Sequence, residues 1–367
     1  MSIRRLIPVH RWAALTLGLL ALVSAVTGAG MAFRAQLEPL VYPREAPVGC
    51  AAPVGLDQIL AAAHMVHPKG KVDYLRIQRS LRDPVAVRYL NKDTLYFDRC
   101  TGQLLSSQNR YGGVFGMLEW IHRGQWSAAF GNVAMGLGAL TLLLMLVGIG
   151  LYLWWPRKGR RFRDALKLNR KLRKGTPFEM GLHRTIGAWV AIPLAISATT
   201  ALPNAFPFVH DAITSLDGKE EAKPRSGAGA GAHLPLSSVW ARIAQLSPNP
   251  QEALIHLAQK PGDPIEIFII AADAPHPNAR TYLFLDAHDG HVLSFRPYAA
   301  MGRGSKIYYW MLSVHTGEVG GIFGQAILFI GAAGALVLGF TGIRTWARRR
   351  AKKSRPRAAA TGSAATA

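Results

Sequence analysis

The chain has 367 residues, about half of them apolar, and its net charge is +22. Such a charge is typical of proteins that bind nucleic acid, because basic patches neutralise phosphates. Here the basic residues are concentrated beside long apolar segments. This distribution indicates a membrane protein and argues against a nucleic-acid partner.

Four apolar segments are long enough to cross a bilayer, for which a helix needs about 20 residues. They cover residues 12–33, 133–155, 186–208 and 322–343. A signal peptide would also explain the first segment, because Arg4 and Arg5 precede it. This segment is longer than the apolar core of a signal peptide, and three more segments follow it. We therefore predict an uncleaved anchor and four membrane-spanning helices.

The basic residues lie on one side of the membrane if the four segments cross it in turn. Arg4 and Arg5 precede the first segment, ten lysines and arginines lie within 157–174, and eight lie within 344–357. Cytoplasmic loops of membrane proteins carry such an excess. The sequence therefore predicts cytoplasmic termini and a basic cytoplasmic loop, with contacts to the anionic headgroups of the lipid bilayer.

The sequence contains an internal repeat. His10 and His183, each followed by arginine, open the first and third spans, and an Ala-Phe pair closes both spans at the same distance. His122 and His315 precede the second and fourth spans, and a Phe-Gly pair follows each of them at the same distance. The chain therefore consists of two copies of one unit, each with two histidines.

Each half carries an external domain after its first span. In the first half the pattern predicts a helix over 55–67 and strands over Val72–Gln78, 85–90, 94–98 and 103–106. In the second half it predicts a Gly/Ala linker over 226–232, a helix over Leu236–Leu246 and strands over 253–258, 265–271, 281–285 and 291–295. The predicted fold class is membrane α-helical with α+β external domains, in two repeats of helix, domain and helix.

These elements divide the chain into eight parts. Spanning helices are predicted over 1–33, 111–155, 183–208 and 309–346, and external domains over 34–110 and 209–308. The basic cytoplasmic loop covers 156–182. A cytoplasmic tail over 347–367 is predicted to be disordered, because small and polar residues dominate its end.

The two cysteines, Cys50 and Cys100, both belong to the first external domain. A disulfide between them suits an oxidising compartment such as the periplasm, and two free thiols are the alternative. The bond would tie the loop after the first span to the turn between the last two strands. Neither cysteine has the spacing of a thioredoxin-like motif or of a c-type haem attachment site.

The repeated motifs resemble a known family. The strand–turn–strand segments that begin at Thr94 and Thr281 resemble the PepSY domain. The His-Arg openings of the spans, and the endings over 150–154 and 341–346, resemble the PepSY-associated transmembrane family. Members of that family include bacterial inner-membrane reductases of ferric siderophores that bind haem b, so the resemblance implies this cofactor, location and activity. One departure is Thr185, which stands where the first half has Trp12.

The four histidines form two pairs by depth in the membrane. Ionisable residues in spanning helices are rare and are functional candidates. His10 and His183 begin helices that run outward, whereas His122 and His315 begin helices that run inward. Each histidine alone could be an interfacial residue bonded to headgroups or to a carbonyl. The matched pairs instead predict two haem b groups, with His10 and His183 as ligands of the inner iron and His122 and His315 as ligands of the outer iron.

Three glycines near these histidines are predicted to leave room for a ring. Gly124 and Gly317 each follow a histidine by two residues, and Gly187 follows His183 by four. Glycine has no Cβ, so a bulky group can approach its backbone closely.

Iron held by two imidazoles has no open coordination site, which favours electron transfer over oxygen activation. The chain has no dinucleotide-binding motif, so the electron donor must be a separate flavoprotein or a quinol. We predict a di-haem protein that passes electrons across the membrane to a periplasmic ferric siderophore and releases iron by reduction. Arg76, Arg79, Arg82 and Arg88 would attract an anionic chelate, or simply form a solvated basic face.

Two other classes of function remain open. A PepSY protein without redox activity would be a membrane-anchored sensor or peptidase inhibitor, and its histidines would be replaceable. A transporter would also contain a repeat, but its helices are usually broken near the midplane. Here only Pro203 and Pro207, near the end of one span, resemble such a break.

Overall fold

The computed structural model describes residues 3–42, 50, 52–157, 161–169, 174–218, 222–227 and 234–354. Residues 228–232 of the predicted linker and the end of the predicted tail lie outside these ranges. The chain divides into two compact units. Unit 1 comprises Met1–Val26, Leu137–Thr199 and Leu328–Ala367, and unit 2 comprises Thr27–Gly136 and Thr200–Ile327.

The helices follow the repeat that the sequence predicts. Those of the first half are α1 Ile3–Leu15, α2 Gly18–Met31, α3 Arg34–Val41, α4 Leu56–Val66, α5 Gly113–His122, α6 Gly131–Thr141, a π-helix Leu142–Gly148 and α7 Ile149–Trp154. They are followed by α8 Phe162–Ala165, α9 Gly175–Ala205, α10 Pro207–Thr214, α11 Leu236–Leu246, α12 Arg303–Thr316 and α13 Gly321–Ser354. Within the described residues, Gly131–Trp154, Gly175–Ala205 and Glu318–Ala351 are long and apolar enough to span a membrane.

The first predicted span is not one straight helix. Arg4–Leu15 and Gly18–Met31 meet at an angle of 54°. At the break the Thr16 hydroxyl donates to the main-chain oxygen of Trp12 at 2.8 Å, a bond of the kind that bends helices. The expectation that only Pro203 and Pro207 mark a break is therefore wrong.

All eight predicted strands are present, and they form a single antiparallel sheet. The strands are β1 Val72–Gln78, β2 Val85–Tyr89, β3 Asp93–Phe97, β4 Leu104–Asn109, β5 Glu252–His256, β6 Ile265–Ile270, β7 Arg280–Leu285 and β8 Val292–Arg296. Their order is β4-β3-β2-β1-β5-β6-β7-β8, so β1 and β5 join the strands of the two halves. Leu75 opposes Ile255 at this junction.

One face of the sheet is covered by α4 and α11. On α11, Leu236, Val239 and Ile243 recur at helical spacing and are all buried. Ile59 of α4 and Leu75 of β1 are fully buried in the same core. Burial of each such side chain stabilises the fold by about 1.5–3 kcal/mol. The alternation of apolar residues in the strands is thus explained by one shared core.

The acidic residue of the PepSY-like motif caps a turn in both halves. Asp98 Oδ1 accepts from the main-chain nitrogens of Cys100 and Thr101, and Asp286 Oδ1 accepts in the same way after β7. Asp286 Oδ2 also accepts from the main-chain nitrogen of Gly227 at 2.6 Å. Main-chain N–H groups donate to the Asp286 carboxyl and hold its pKa far below its usual range, and the N–H of Gly227 makes the largest contribution.

These bonds also decide the role of a nearby cluster. Oxygen and nitrogen atoms of Asp286, Asp289 and His291 lie within 4.8 Å of one another, as in some metal sites. The Asp286 oxygens are already occupied by turn hydrogen bonds, and Asp289 accepts from His291 Nδ1 at 2.7 Å. These hydrogen bonds account for the cluster as turn structure.

Cys50 and Cys100 form a disulfide, with their Cα atoms 5.7 Å apart. The bond closes a sequence separation of 50 residues. In the chain-entropy model a loop of this length stabilises the folded state by about 4 kcal/mol. We expect reductant to lower the denaturant midpoint of the sheet accordingly, as followed by circular dichroism. Thiol labelling of both cysteines in denatured, unreduced protein would show that the bond is absent.

Candidate functional site

The first histidine pair lies in unit 1. His10 of α1 and His183 of α9 have ring centres 6.4 Å apart and ring planes at 89°. Nδ1 of His10 lies 3.0 Å from the main-chain oxygen of Met145, which belongs to the π-helix. A carbonyl only accepts hydrogen bonds, so Nδ1 carries the proton and donates it. The neutral ring of His10 therefore has an unprotonated Nε2.

Thr341 fixes the proton of His183 in the same way. Its hydroxyl donates to the main-chain oxygen of Val337 at 2.7 Å. The hydroxyl oxygen of Thr341 also lies 3.0 Å from Nδ1 of His183. Because the single hydroxyl hydrogen is already used, Thr341 accepts from Nδ1–H. Both rings of this pair thus have the tautomer in which Nε2 is available to a metal.

The second histidine pair lies in unit 2. His122, the last residue of α5, and His315 of α12 have ring centres 6.1 Å apart and ring planes at 41°. Nδ1 of His122 is 2.9 Å from Thr27 Oγ1, and Nδ1 of His315 is 3.2 Å from Thr200 Oγ1. In all four histidines, then, Nδ1 is held by a neighbouring helix.

Three glycines on neighbouring helices lie against these rings. A Cβ added to any of them would come within 3.3–3.6 Å of a ring Cε1 atom. The contacts are Gly28 with His122, Gly150 with His10, and Gly342 with His183. Glycine at these positions lets the helix backbone approach the imidazole closely.

The glycines that the sequence singled out have other roles. Gly124 and Gly317 have positive φ angles of 67° and 75°, and an added Cβ would meet main-chain atoms of the following helix. A Cβ at Gly187 would meet Leu338 instead of an imidazole. These contacts show Gly124 and Gly317 in tight turns against the following helix and Gly187 in a helix contact. That the three glycines leave room for a ring stays a prediction.

The threonines of the second pair were missed, although the repeat contains a signal for them. The step from His10 to His183 is 173 residues, and the step from Thr27 to Thr200 is the same. A polar residue that recurs at the repeat distance inside two apolar spans is a candidate for a specific hydrogen bond. Applied to every polar residue in the spans, this test would have found both threonines.

The π-helix explains a one-residue difference between the halves. His122 and His315 are separated by 193 residues, whereas the ring-contacting Gly150 and Gly342 are separated by 192. The second span therefore has one residue more than the fourth between these points. A π-turn accommodates one additional residue within a helix and is frequent at functional sites. Here it supplies the carbonyl that holds His10.

A buried network anchors α12, the helix that carries His315. His276 Nδ1 lies 2.9 Å from Ser313 Oγ, and its Nε2 lies 2.9 Å from Tyr298 Oη. Asn278 Nδ2 donates to the same Ser313 oxygen at 2.9 Å. Burial lowers the pKa of His276, so the ring is neutral at pH 7. The network fixes α12 two residues before His315.

The arginines predicted to attract an anionic chelate are partly occupied within the sheet. Arg76 forms an ion pair with Glu252 at 2.5 Å, and Arg79 donates to the main-chain oxygen of Asn249 at 2.8 Å. Arg88 lies over the ring of Tyr74, at 5.9 Å from its centre. These contacts stabilise the sheet that the strands of both halves form.

A comparison with protein families gives a match that covers most of the chain. The model of the family described as the PepSY-associated TM region matches residues 7–349. The chain belongs to this family. The resemblance expected from the motifs is thereby confirmed, and the matched range includes all four paired histidines. No curated protein sequence matches the chain.

The paired histidines of this PepSY-associated protein fit a metal-centred cofactor. An imidazole nitrogen binds a metal at about 2 Å, and the ring centre lies ~1 Å further back, so two rings on one metal have centres about 6 Å apart. The observed separations of 6.4 and 6.1 Å agree with this value. The fixed Nδ1 atoms, the apolar helices and the neighbouring glycines also suit a flat apolar cofactor such as haem b.

Proposed function

We propose that the protein is an inner-membrane electron-transfer protein that reduces a ferric siderophore on the periplasmic side and so releases its iron. The electrons come from a cytoplasmic flavoprotein or a quinol. His10 and His183 hold an inner haem b, and His122 and His315 hold an outer one. The observation that carries this proposal is the two facing pairs of imidazoles, each ring held at Nδ1 by a neighbouring helix.

A haem held by two imidazoles would supply one-electron transfer without binding a substrate atom. The residues around each pair keep the imidazoles ready for this role. The Met145 carbonyl and the Thr341 hydroxyl hold the proton on Nδ1 of His10 and His183, so Nε2 keeps its lone pair. The apolar helices exclude water. Because the imidazoles are held in place, the reorganisation energy of electron transfer stays small.

The alternative is a membrane-anchored PepSY sensor or peptidase inhibitor without redox activity. It accounts for the sheet, because a sheet alone would serve to bind a peptide. It gives no reason for two facing histidine pairs or for the recurrence of Thr27 at Thr200. For this reason the redox function is favoured.

The decisive experiment is an absorption spectrum of the purified membrane protein with and without dithionite. We expect reduced bands of a low-spin b-type haem and, by pyridine haemochrome, about two haems per chain. Added ferric siderophore should reoxidise the dithionite-reduced protein once excess dithionite is removed. A colourless protein whose sheet is folded would support the sensor or inhibitor instead.

We propose that both termini and the basic loop are cytoplasmic and that the sheet is periplasmic. A reporter that works only in the cytoplasm should be active when it is fused after Lys174 or Arg350. A reporter that works only in the periplasm should be active when it is inserted near Ser226. The positive charges beside the spans are the physical reason. The opposite pattern would reverse the assignment of inner and outer pairs.

A further inference from the structure

The two histidines of the inner pair are held by different acceptors. His183 donates from Nδ1 to the hydroxyl of Thr341 at 3.0 Å, and that hydroxyl donates in turn to the main-chain oxygen of Val337 at 2.7 Å. His10 donates from Nδ1 directly to the main-chain oxygen of Met145 at 3.0 Å. One ring is therefore linked to a carbonyl through a hydroxyl, and the other ring is bonded to a carbonyl directly.

These two carbonyls occupy the same place in the repeat. The glycines that contact the two rings are 192 residues apart. At this step Val337 corresponds to Met145, and the residue that corresponds to Thr341 is Ile149. The second half thus has a threonine one turn after the carbonyl. The first half has an isoleucine there, and its side chain cannot accept a hydrogen bond.

The π-helix compensates for the missing threonine. In the second half the carbonyl of Val337 lies in the regular helix α13, and the ring is linked to it through the hydroxyl of Thr341. In the first half the carbonyl of Met145 lies within the π-helix. The hydrogen bonds of a π-helix run over five residues instead of four, so its carbonyls depart from the regular arrangement. Two different local structures therefore give each ring of this pair an acceptor at Nδ1.

The outer pair has acceptors at the same atoms. Nδ1 of His122 lies 2.9 Å from the Thr27 hydroxyl, and Nδ1 of His315 lies 3.2 Å from the Thr200 hydroxyl. A buried ring that only fills space would also need a partner for its N–H group. A metal ligand needs it for a further reason, because an acceptor at Nδ1 raises the basicity of Nε2. These two roles differ in their effect on a reduction potential.

We propose that the acceptors at Nδ1 set the reduction potentials of the two haems of the proposed function, on which this inference rests. The π-helix is then a positioning device, because it brings the Met145 carbonyl to His10. An amide carbonyl accepts a hydrogen bond more strongly than a hydroxyl does. A stronger acceptor makes the imidazole more basic, and a more basic ligand stabilises ferric iron and lowers the potential. Met145 therefore holds the inner potential lower than a threonine would.

The first test removes the π-helix from the full-length protein. Leu144 is exposed within the π-helix, and its deletion leaves a regular helix with the residue count of the second half. His10 should then lose its direct bond to the Met145 carbonyl. We expect the affinity of the inner site for haem to fall by about 10- to 100-fold, as is typical when a second-shell partner is lost. The inner potential should also rise.

Ile149→Thr in the Leu144 deletion variant is the rescue, because it rebuilds the arrangement of the second half. The haem affinity should return to the wild-type value, and the potential should fall to a value between those of the deletion variant and the wild type. All variants are made in the His122→Ala background, in which the inner site holds the remaining haem. Haem titration of the apoprotein in nanodiscs gives the affinity, and a spectroscopic redox titration gives the potential. A wild-type potential after the deletion, or no rescue by Ile149→Thr, would overturn the proposal.

Thr341 provides a second test that does not change the length of a helix. Thr341→Val should raise the inner potential, and Thr341→Ser should keep it. Thr345→Val is the matched control, because Thr345 is buried one turn later on α13 and its hydroxyl has no hydrogen-bond partner among the residues that the structure describes. It should leave the potential unchanged. A lower haem affinity with an unchanged potential in Thr341→Val would make Thr341 a packing residue and overturn the proposal. If the deletion variant does not fold, the three threonine variants decide.

The two proposals fail in different ways. If the purified wild-type protein contains no haem, the proposed function is wrong. If it contains two haems, but the inner potential responds neither to Thr341→Val nor to the deletion of Leu144, only the inference about the acceptors is wrong.

Discussion

Replacement of His122 by alanine should remove about half of the bound haem and leave the remaining half reducible. One imidazole cannot replace a pair, so loss of either partner empties the site. His315→Ala should therefore behave like His122→Ala, because the two rings face each other at 6.1 Å. Pyridine haemochrome gives the stoichiometry. In vesicles that carry the protein and enclose a ferric chelate, the rate of chelate reduction should fall to background in both variants.

The inner pair gives the complementary result. His10→Ala and His183→Ala should also halve the haem, but the haem that remains should no longer be reduced by a donor added on the cytoplasmic side. His256→Ala is the matched control, because Nδ1 of His256 lies 3.5 Å from Asp73 Oδ1 within the sheet, outside both pairs. It should retain two haems. Unchanged haem content in both His122→Ala and His315→Ala would leave the chain with at most one site.

Local patterns were sufficient to predict most of the elements. The sequence predicted β1 and α11 with the bounds that the structure has, and the other strands within about three residues, because apolar residues alternate on the face that α4 and α11 bury. The histidine pairs were predicted from depth alone, because a helix that begins at one membrane face fixes the level of its first residues.

Features that depend on distant contacts or on one residue were not predicted. The pairing of β1 with β5 joins strands about 180 residues apart, and no local pattern specifies it. The break at Thr16 and the π-helix each depend on one or two hydrogen bonds within an apolar run.

Replacement of the glycines that contact the imidazoles should change the haem content by a comparable amount. Gly150→Leu should empty the inner site, because a Cβ there would already lie 3.3 Å from Cε1 of His10 and the rest of a leucine has no space unless the ring moves. Gly150→Ala should have a small effect, since its methyl group alone requires a shift of a few tenths of an ångström. Haem content and the reduced spectrum should therefore change in a graded series from glycine to alanine to leucine.

Two further leucine variants separate ring displacement from general damage to the helix. Gly148→Leu lies in the same span, but its Cβ would meet only the Leu143 main-chain oxygen, at 3.4 Å, so both haems should be kept. Gly28→Leu, beside His122, should empty the outer site and leave the inner one reducible. Full haem content in Gly150→Leu would contradict the close approach of Gly150 to His10. Equal loss of haem in Gly148→Leu would mean that damage to the helix, and not displacement of the ring, causes the effect. Of these two glycines, only Gly150 contacts the imidazole that has to bind the iron.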